Sequence, residues 1–498
     1  MRYILIFIFA IFLQASTLHL SMSSNPSRIN PILATDSASG EIAGWIFNGL
    51  VKYDKDGNLT TDLAKSFYFE DNTTLVFELK ENVYFHDGKK LTADDVIFTF
   101  ELLKSPKIFT PYSQSFRFVK NIEKLSEFKF KVNYTRPYFK AVHIWNIGIV
   151  PKHILEKEQD LMTSKFNQNP IGTGAYKLTN LNISGDIELI ANENYFEHKP
   201  NIEKIHYHFM PDDSTKFLTL KTKQLDIGTL TPLQYKRQID DEFKKHFKIV
   251  QNREFAYTYL GFNLKDEKFK DKKVREALYL AIDRQEIIDI LSFGVGELCH
   301  GPFMPDTFAY NEHHKPKPND INRAKSLLKE AGFSEKNPLT FEIATNANNP
   351  IRVKVAEIMQ YQLSKIGVKV KIKSIEWQAF LNTVIFPRNF EAVILGWGLG
   401  LIPDAYAIWH KDGIKKGGFN FIGYDNEVVN ELIEKAEATI DQQQLSKIYK
   451  QIFETIIDDY PYIFLYIPHS ITAVNSKITP IIPSLTGIMH NQIDWMKE

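Results

Sequence analysis

The feature that most constrains this sequence is a helix–glycine–strand succession in its second half. An amphipathic helix is expected to end at Gly367, because glycine readily takes the left-handed conformation that closes a helix, and an alternating strand follows over residues 368–372. Its inward positions share one helical face: Ala356, Met359, Leu363 and Ile366. An earlier helix is expected to be capped by Asp320 and to end at Gly332. This alternation predicts an α/β fold.

The order of elements predicts two lobes. Runs at residues 75–79 and 128–132 are strand-like, so the region before the α/β segment is rich in sheet, and residues 462–467 form a late strand. A length of 498 residues exceeds what one core supports. A chain that leaves one domain, builds a second and returns crosses twice, and two crossings create a hinge beside a cleft.

Composition and motifs argue against several functional classes. Lys+Arg and Asp+Glu both number 60, so the chain has no basic excess for nucleic acid or anionic lipid. Cys299 is the single cysteine, and no intrachain disulfide can form. The sequence contains no Gly-x-Ser-x-Gly elbow, Walker loop or His-Glu-x-x-His helix. We therefore predict a protein that is not an enzyme and needs no cofactor.

The first residues predict export. Arg2 precedes an apolar run over residues 3–13, and small or polar residues follow at 14–17. This layout is typical of a cleavable signal peptide, which we place at residues 1–17, and the run is too short to span a bilayer. Since no cysteine follows the run, we expect a periplasmic protein without a lipid anchor.

Five ordered segments resemble the periplasmic solute-binding proteins of ABC importers, in the family that binds oligopeptides, dipeptides and nickel complexes (family 5). They are residues 59–66 with 77–96, residues 170–178 with 192–196, residues 269–288, residues 324–333, and Gly396-Trp397 with Pro403-Asp404. Each segment alone is weakly specific, but together and in order they cover nearly the whole chain after the signal peptide.

The resemblance implies a two-lobed class II fold that closes on its ligand. Lobe I is expected at residues 18–44, 166–255 and 464–498, with an appended subdomain at 45–165, and lobe II at 256–463. The implied role is a monomeric receptor that captures short peptides and delivers them to the permease and ATPase subunits of an importer. It also implies that no nucleic acid is bound. A hydrolase or a chaperone-like protein is the alternative outside this family.

Asp404 is the main candidate ligand-binding residue. In peptide-binding relatives a carboxylate shortly after the Gly-Trp pair binds the ligand's α-ammonium group. Here that position falls on Gly400, and Asp404 is the nearest carboxylate. A buried carboxylate needs a cationic partner, so Asp404 either replaces the usual residue or caps the helix that starts at Ala405.

Four further side chains are candidates for the cleft. Arg352 occupies a place where related dipeptide receptors carry an arginine, and it suits bidentate binding of a carboxylate, or else it is a surface residue of a first helical turn. Trp397, Tyr406 and Trp409 are candidate aromatic walls, and for each of them packing in the core is an equal alternative.

The alternative ligand is a nickel chelate such as nickel–histidine. Imidazole suits Ni²⁺, and histidines expected near the cleft are His19, His410, His469 and His490. His206 and His208 share one face of a strand, but two ligands do not make a site, so an exposed strand is the favoured interpretation. His86 in Phe-His-Asp-Gly is interpreted as part of a structural turn in which Gly88 has a positive φ.

Overall fold

The computed structural model describes residues 16–108, 110–182, 186–415 and 418–498. Nearly all of the predicted signal peptide, residues 1–15, lies outside the described residues. Within the described residues, no helix combines the length and the apolar character that crossing a membrane requires.

The described residues form strands and α-helices throughout the chain. The strands are β1 (Thr17–Met22), β2 (Val51–Tyr53), β3 (Leu59–Thr61), β4 (Ala64–Asp71), β5 (Thr74–Leu79), β6 (Val119–Lys124), β7 (Lys129–Tyr134), β8 (Tyr176–Leu181), β9 (Ile187–Ala191), β10 (Lys204–Phe209), β11 (Ile227–Thr229), β12 (Phe247–Arg253), β13 (Ala256–Phe262), β14 (Glu297–Leu298), β15 (Thr340–Asn346), β16 (Lys369–Ile375), β17 (Ala392–Gly398), β18 (Tyr462–Ile467), β19 (His469–Asn475), β20 (Ile478–Thr479) and β21 (Met496–Lys497). The helices are α1 (Ser37–Ile46), α2 (Ala93–Lys104), α3 (Lys152–Leu155), α4 (Asp213–Lys221), α5 (Pro232–Arg237), α6 (Asp241–His246), α7 (Glu267–Lys270), α8 (Lys272–Ala281), α9 (Arg284–Ser292), α10 (Ile321–Glu330), α11 (Pro350–Ser364), α12 (Trp377–Phe380), α13 (Tyr406–Trp409), α14 (Glu427–Glu437) and α15 (Gln442–Asp459).

Lobe I is the part built on two sheets, with strand orders β1-β10-β9-β8 and β11-β19-β12. β1 and β10 pair in parallel, although about 190 residues separate them in sequence. The two sheets meet where the Asp226 N–H donates to the His19 carbonyl oxygen (2.8 Å). The predicted late strand at residues 462–467 is β18 and belongs to the sheet of lobe II, whereas the next strand, β19, pairs with β12, so the end of the chain returns to lobe I.

The segment between β1 and β8 adds a separate sheet, which we call the subdomain sheet, in the order β4-β5-β7-β6. The predicted strands at residues 75–79 and 128–132 are its inner strands, β5 and β7. Leu75, Phe77, Phe130 and Val132 are buried beneath it. In β7 buried and more exposed residues alternate, as expected for a strand, whereas in β5 the intervening Val76 is buried as well.

Lobe II is the part built on a mixed sheet in the order β14-β18-β13-β17-β15-β16. The predicted helix–glycine–strand unit is confirmed here: α11 buries Ala356, Met359 and Leu363, and Gly367 has a φ of +80°. β15 and β16 then pair in parallel across this connection. The chain passes from lobe II back to lobe I at Pro468, between β18 and β19. The sequence predicts the end of lobe II at residue 463, which is four residues before the end of β18 at Ile467.

Helix caps agree with the sequence pattern. The Asp271 side chain accepts a hydrogen bond from the Lys273 N–H at the start of α8, and the Asp320 side chain accepts one from the Arg323 N–H at the start of α10. Each cap satisfies a backbone donor that the first helical turn leaves free. Gly332 follows α10 with a φ of +91°, as expected for a residue that ends a helix.

Two of the resembling segments meet at His86. Its backbone N–H donates to the Gly172 carbonyl oxygen (2.8 Å), and its Nε2 lies 3.0 Å from the Gly174 carbonyl oxygen. Gly88 has a φ of +84°, so the predicted turn is confirmed. A Cβ at Gly172 would lie 2.0 Å from the Ile46 carbonyl oxygen, which explains the need for glycine. His86 therefore has a structural place in lobe I.

Candidate functional site

A cavity of about 300 Å³ lies at the end of β17, where the chain continues into the loop before α13. Its lining combines apolar side chains with one carboxylate: Phe303, Met304, Thr307, Trp397, Gly398, Leu399, Gly400, Ile402, Pro403, Asp404, Ala407, Ile408 and Phe419. An apolar enclosure with few polar groups is typical of a small-ligand site. We call it the Asp404 cavity.

Trp397 forms an aromatic wall of this cavity. Its indole stacks on Phe421, with ring centroids 5.5 Å apart and planes at 16°, and it meets Phe419 edge-on at 6.0 Å. Its Nε1–H points to the Tyr462 hydroxyl at 3.4 Å. Phe419 is 45% exposed although it is a large apolar residue. Contacts with Phe421 and Tyr462 thus fix the Trp397 ring, and the exposed part of Phe419 leaves apolar surface free for a ligand.

Asp404 supplies the carboxylate of the cavity, and each of its oxygens has a partner. Oδ1 accepts from the Tyr406 N–H at 3.0 Å, at the start of α13, and Oδ2 forms a salt bridge with Lys140. Its side chain keeps 40% of its surface exposed, and Asp404 lines the cavity. Asp404 therefore both caps the start of α13 and presents its charge to the cavity.

The electrostatics keep Asp404 ionised. Burial acts to raise the pKa of its carboxyl, but Lys140, the Tyr406 N–H and the more distant Arg117 together outweigh burial and lower the pKa below its usual value. An ionised carboxylate within a largely apolar enclosure favours a cationic ligand group.

Contacts from the subdomain surround the rim of this site. Lys140 comes from the segment after β7, and the Arg117 guanidinium lies 4.7 Å from the centre of the Tyr406 ring. Glu437, at the end of α14, forms salt bridges with both Arg117 and Arg136 and is only 7% exposed. Carboxylates of lobe II thus meet cations of the subdomain on the side where Asp404 lies.

Arg352 lies beside the same strand, at the start of α11. Its guanidinium would be 2.7 Å from a Cβ at Gly396, the residue before Trp397, and its Nη1 donates to Asn346 Oδ1 at 3.1 Å. Burial lowers the pKa of its guanidinium, and among the described residues no carboxylate lies within salt-bridge distance of it. A half-buried guanidinium without a counter-ion is suited to a ligand carboxylate.

Three neighbouring predicted residues do not line the Asp404 cavity: Tyr406, Trp409 and His410. Trp409 is 1% exposed and packs against Tyr424 and Tyr462 in the core, because α13 turns it away from the cavity. His410 is equally buried, stacks on Tyr406 and lies 3.3 Å from Glu434 through Nε2. The His410 Nδ1 accepts a hydrogen bond from the Asp412 N–H, so His410 caps the short helical turn at residues 411–414 and does not line the cavity.

The other predicted histidines are dispersed. His469 begins β19 and lies 3.8 Å from Glu297, whereas His490 is exposed in the turn at residues 489–494. None of the four predicted metal residues lines the Asp404 cavity. Within the described ranges, the one group of three metal-ligating side chains that meet is His19, His206 and His208 in lobe I. The predicted exposed strand therefore carries two members of a cluster whose third member lies in β1.

Sequence reasoning missed several side chains of the site. Lys140 is 264 residues from Asp404, and nothing in its local sequence marks it as a partner. Phe303, Met304 and Phe419 reach the cavity from two distant segments. By contrast, Gly400 and Asp404, which sequence reasoning considered together, line the same cavity.

Comparison with known proteins gives close relatives. The oligopeptide-binding protein AppA from Bacillus subtilis is 33% identical over 489 residues, which cover 93% of this chain and 88% of that protein. The structure of AppA with a nonapeptide superposes with a TM-score of 0.84 and 31% identity, covering 97% of this chain and 99% of that one. NikZ from Campylobacter jejuni in complex with Ni(L-His) superposes with a TM-score of 0.85 and 29% identity, covering 97% and 99%.

The same comparison defines the family. Residues 58–418 match the profile of the bacterial extracellular solute-binding proteins, family 5. The match takes in the subdomain sheet, β8–β12 of lobe I and most of lobe II, and the two-lobed α/β fold agrees with it. This chain therefore belongs to the family 5 solute-binding proteins of ABC importers.

Proposed function

We propose that this protein is a receptor that captures short peptides and delivers them to an ABC importer without chemical change. The observation that carries the proposal is the ionised Asp404 in a largely apolar cavity, four residues beyond the place where relatives of the peptide class carry their amine-binding carboxylate. The similarity to AppA from Bacillus subtilis supports the same class of ligand.

The two charged groups match the two ends of a peptide. Asp404 receives the α-ammonium group, and the ammonium replaces or joins Lys140 as its counter-ion. Arg352, which lies beside Gly396 at the end of β17 and has no carboxylate partner among the described residues, meets a carboxylate of the ligand in this proposal. Trp397 and Phe419 cover the first side chain in the cavity of about 300 Å³.

Location and partners follow from the same proposal. A signal peptide at residues 1–17 directs the chain to the periplasm, where it acts as an unanchored monomer. Lobe I comprises residues 18–44, 166–255 and the C-terminal part of the chain, with the subdomain at 45–165, and lobe II begins at 256. Closure of the lobes buries the peptide and creates the surface that the permease and ATPase subunits recognise.

Calorimetry of the purified protein tests the ligand class. Di-, tri- and longer peptides are titrated first, and then Ni²⁺ with free histidine. Binding of peptides with a free amine supports the proposal. Binding of nickel–histidine in the absence of any response to peptides would refute it and assign the alternative. Among the described residues that line the Asp404 cavity there is no histidine, so the cavity gives no support to that alternative.

A turnover assay tests the absence of chemistry. Peptides are incubated with the protein at stoichiometric concentration and analysed by mass spectrometry. Full recovery of intact peptide is expected. Cleavage that persists after a second purification step would replace the receptor with a hydrolase.

A further inference from the structure

Three histidines meet on one face of the lobe I sheet. His19 of β1 is opposite His206 of β10 in register, and His208 is two residues further along β10. The ring centroids are 4.2 Å apart for His206–His208, 5.4 Å for His19–His208 and 5.7 Å for His19–His206. One ring nitrogen of each lies within 4.8 Å of those of the other two. The intervening Leu18 and Tyr207 are buried on the opposite face.

The spacing suits a metal ion. His19 Nδ1 lies 3.1 Å from His208 Nε2. A late transition metal at about 2.0–2.1 Å from two imidazole nitrogens places those nitrogens about 2.9–3.4 Å apart, depending on the angle between the ligands.

Asp186 gives the cluster an outer carboxylate. Its Oδ1 lies 3.5 Å from His208 Nδ1, the nitrogen that faces away from His19. Its Oδ2 lies 2.8 Å from His206 Nε2, which is buried and makes no hydrogen bond of acceptable geometry. A carboxylate behind a metal-binding histidine fixes the ring and its tautomer.

We propose that His19, His206 and His208 bind a divalent late transition metal ion such as Zn²⁺ or Ni²⁺, with Asp186 as the positioning residue. Three imidazoles leave at least one position for water or an exogenous ligand, and imidazole suits both ions. None of the four residues lines the Asp404 cavity, so this site is independent of the proposed peptide function. A bound ion ties β1 to β10 and stabilises lobe I.

Metal titration of the exported protein, without its proposed signal peptide, tests the site. The protein carries no histidine tag, is treated with EDTA and dialysed, and is titrated with ZnCl₂ or NiCl₂ alone by calorimetry. One equivalent of tight binding is expected, together with a rise in Tm. His208→Gln and His206→Gln are each expected to weaken binding at least a hundredfold, and Asp186→Asn tenfold to a hundredfold. His313→Gln, whose side chain is 85% exposed, is the matched control and is expected to bind like the wild type.

Peptide affinity checks that each variant is folded and separates the two sites. Variants that bind peptide normally but have lost the metal support the proposal. X-ray absorption at the metal edge is expected to report two or three imidazole ligands. Equal metal binding by the wild type and both His variants, or no binding by the wild type at micromolar metal, would overturn it. If only nickel–histidine binds, and the His variants keep that binding, the ion belongs elsewhere and the proposal also fails.

Discussion

Replacing Asp404 by asparagine isolates the charge of the proposed amine site. Asparagine keeps the shape of the side chain and one oxygen that accepts from the Tyr406 N–H, so the start of α13 is preserved. What is lost is the negative charge that Lys140 and a peptide ammonium group would share.

The expected loss follows from this geometry. A hydrogen bond to a charged group contributes about 1.5–3 kcal/mol, which corresponds to an affinity change of about 10- to 150-fold. Because Lys140 already neutralises part of the charge, the lower end of the range applies, and we expect a loss of at least about tenfold.

Replacing Lys140 by methionine is expected to have the opposite effect on peptide affinity. Two cations about 5 Å apart repel by about 3 kcal/mol before screening, so removing one tightens peptide binding several-fold.

A double-mutant cycle between protein and ligand is the assay. Calorimetry compares Asp404→Asn with the wild type, using one peptide with a free amine and the same peptide N-acetylated. If Asp404 meets the amine, the two changes are coupled by about 1.5 kcal/mol or more, and the variant no longer distinguishes the two peptides. Asp94→Asn is the matched control, because Asp94 also pairs with a lysine and is 44% exposed, but lies in α2.

Additive penalties would refute the reasoning. If acetylation weakens binding equally in the wild type and in Asp404→Asn, the ammonium group does not meet this carboxylate. Asp404 would then be a helix-capping residue whose charge is held by Lys140 alone.

The remaining predictions concern the other charged groups. Arg352→Gln is expected to weaken peptides with a free carboxylate at least tenfold, whereas amidated peptides bind unchanged; equal loss for both would remove the carboxylate role. Glu437→Gln leaves Arg117 and Arg136 without their shared carboxylate and is expected to lower the free energy of unfolding, measured by urea titration, by about 1–3 kcal/mol. Glu242→Gln is the control: the Glu242 side chain, which pairs with His246, is 65% exposed, so its replacement should change the free energy of unfolding little. Burial lowers the pKa of His86 and of His143 to about 4. As the pH drops from about 6.5 to 4, the unfolded chain therefore binds protons at these histidines before the folded chain does. The free energy of unfolding is expected to fall by up to about 3 kcal/mol for each histidine. His86→Gln should flatten that part of the curve, and an unchanged slope would show that another group is responsible.

Local patterns predicted much of the fold. The helix that ends at Gly367, the cap at Asp320 and the late strand at 462–467 depend on residues close together in sequence, and the structure has all of them. The predicted lobe II boundary at residue 463 lies inside this strand, because the local pattern of a strand does not show which sheet it joins; β18 belongs to the lobe II sheet. Pairing of β1 with β10 was not predictable, since the strands are brought together only by tertiary packing.

The site was predictable only where one short segment supplies it. Trp397, Gly400 and Asp404 lie within eight residues and line one cavity, so the motif alone brought them together. Trp409 belongs to the same stretch but faces the core, because a single helical turn, α13, decides which side each ring takes. His206 and His208 were recognised as neighbours on one face, yet their third partner, His19, comes from a strand nearly 190 residues earlier.

The position of the carboxylate follows from the shape of the loop after β17. Gly398, Gly400 and Asp404 all border the same cavity, so the loop bends around it, and a shift of four residues along the chain does not remove the charge from the ligand space. A free carboxylate there would be costly in a largely apolar enclosure, and Lys140 removes that cost when no ligand is bound. In the proposed site, binding of a peptide exchanges or shares one cation instead of creating a new charge pair. Because Lys140 belongs to the segment that follows the subdomain sheet, we expect this exchange to couple occupancy of the Asp404 cavity to the contact between the subdomain and lobe II.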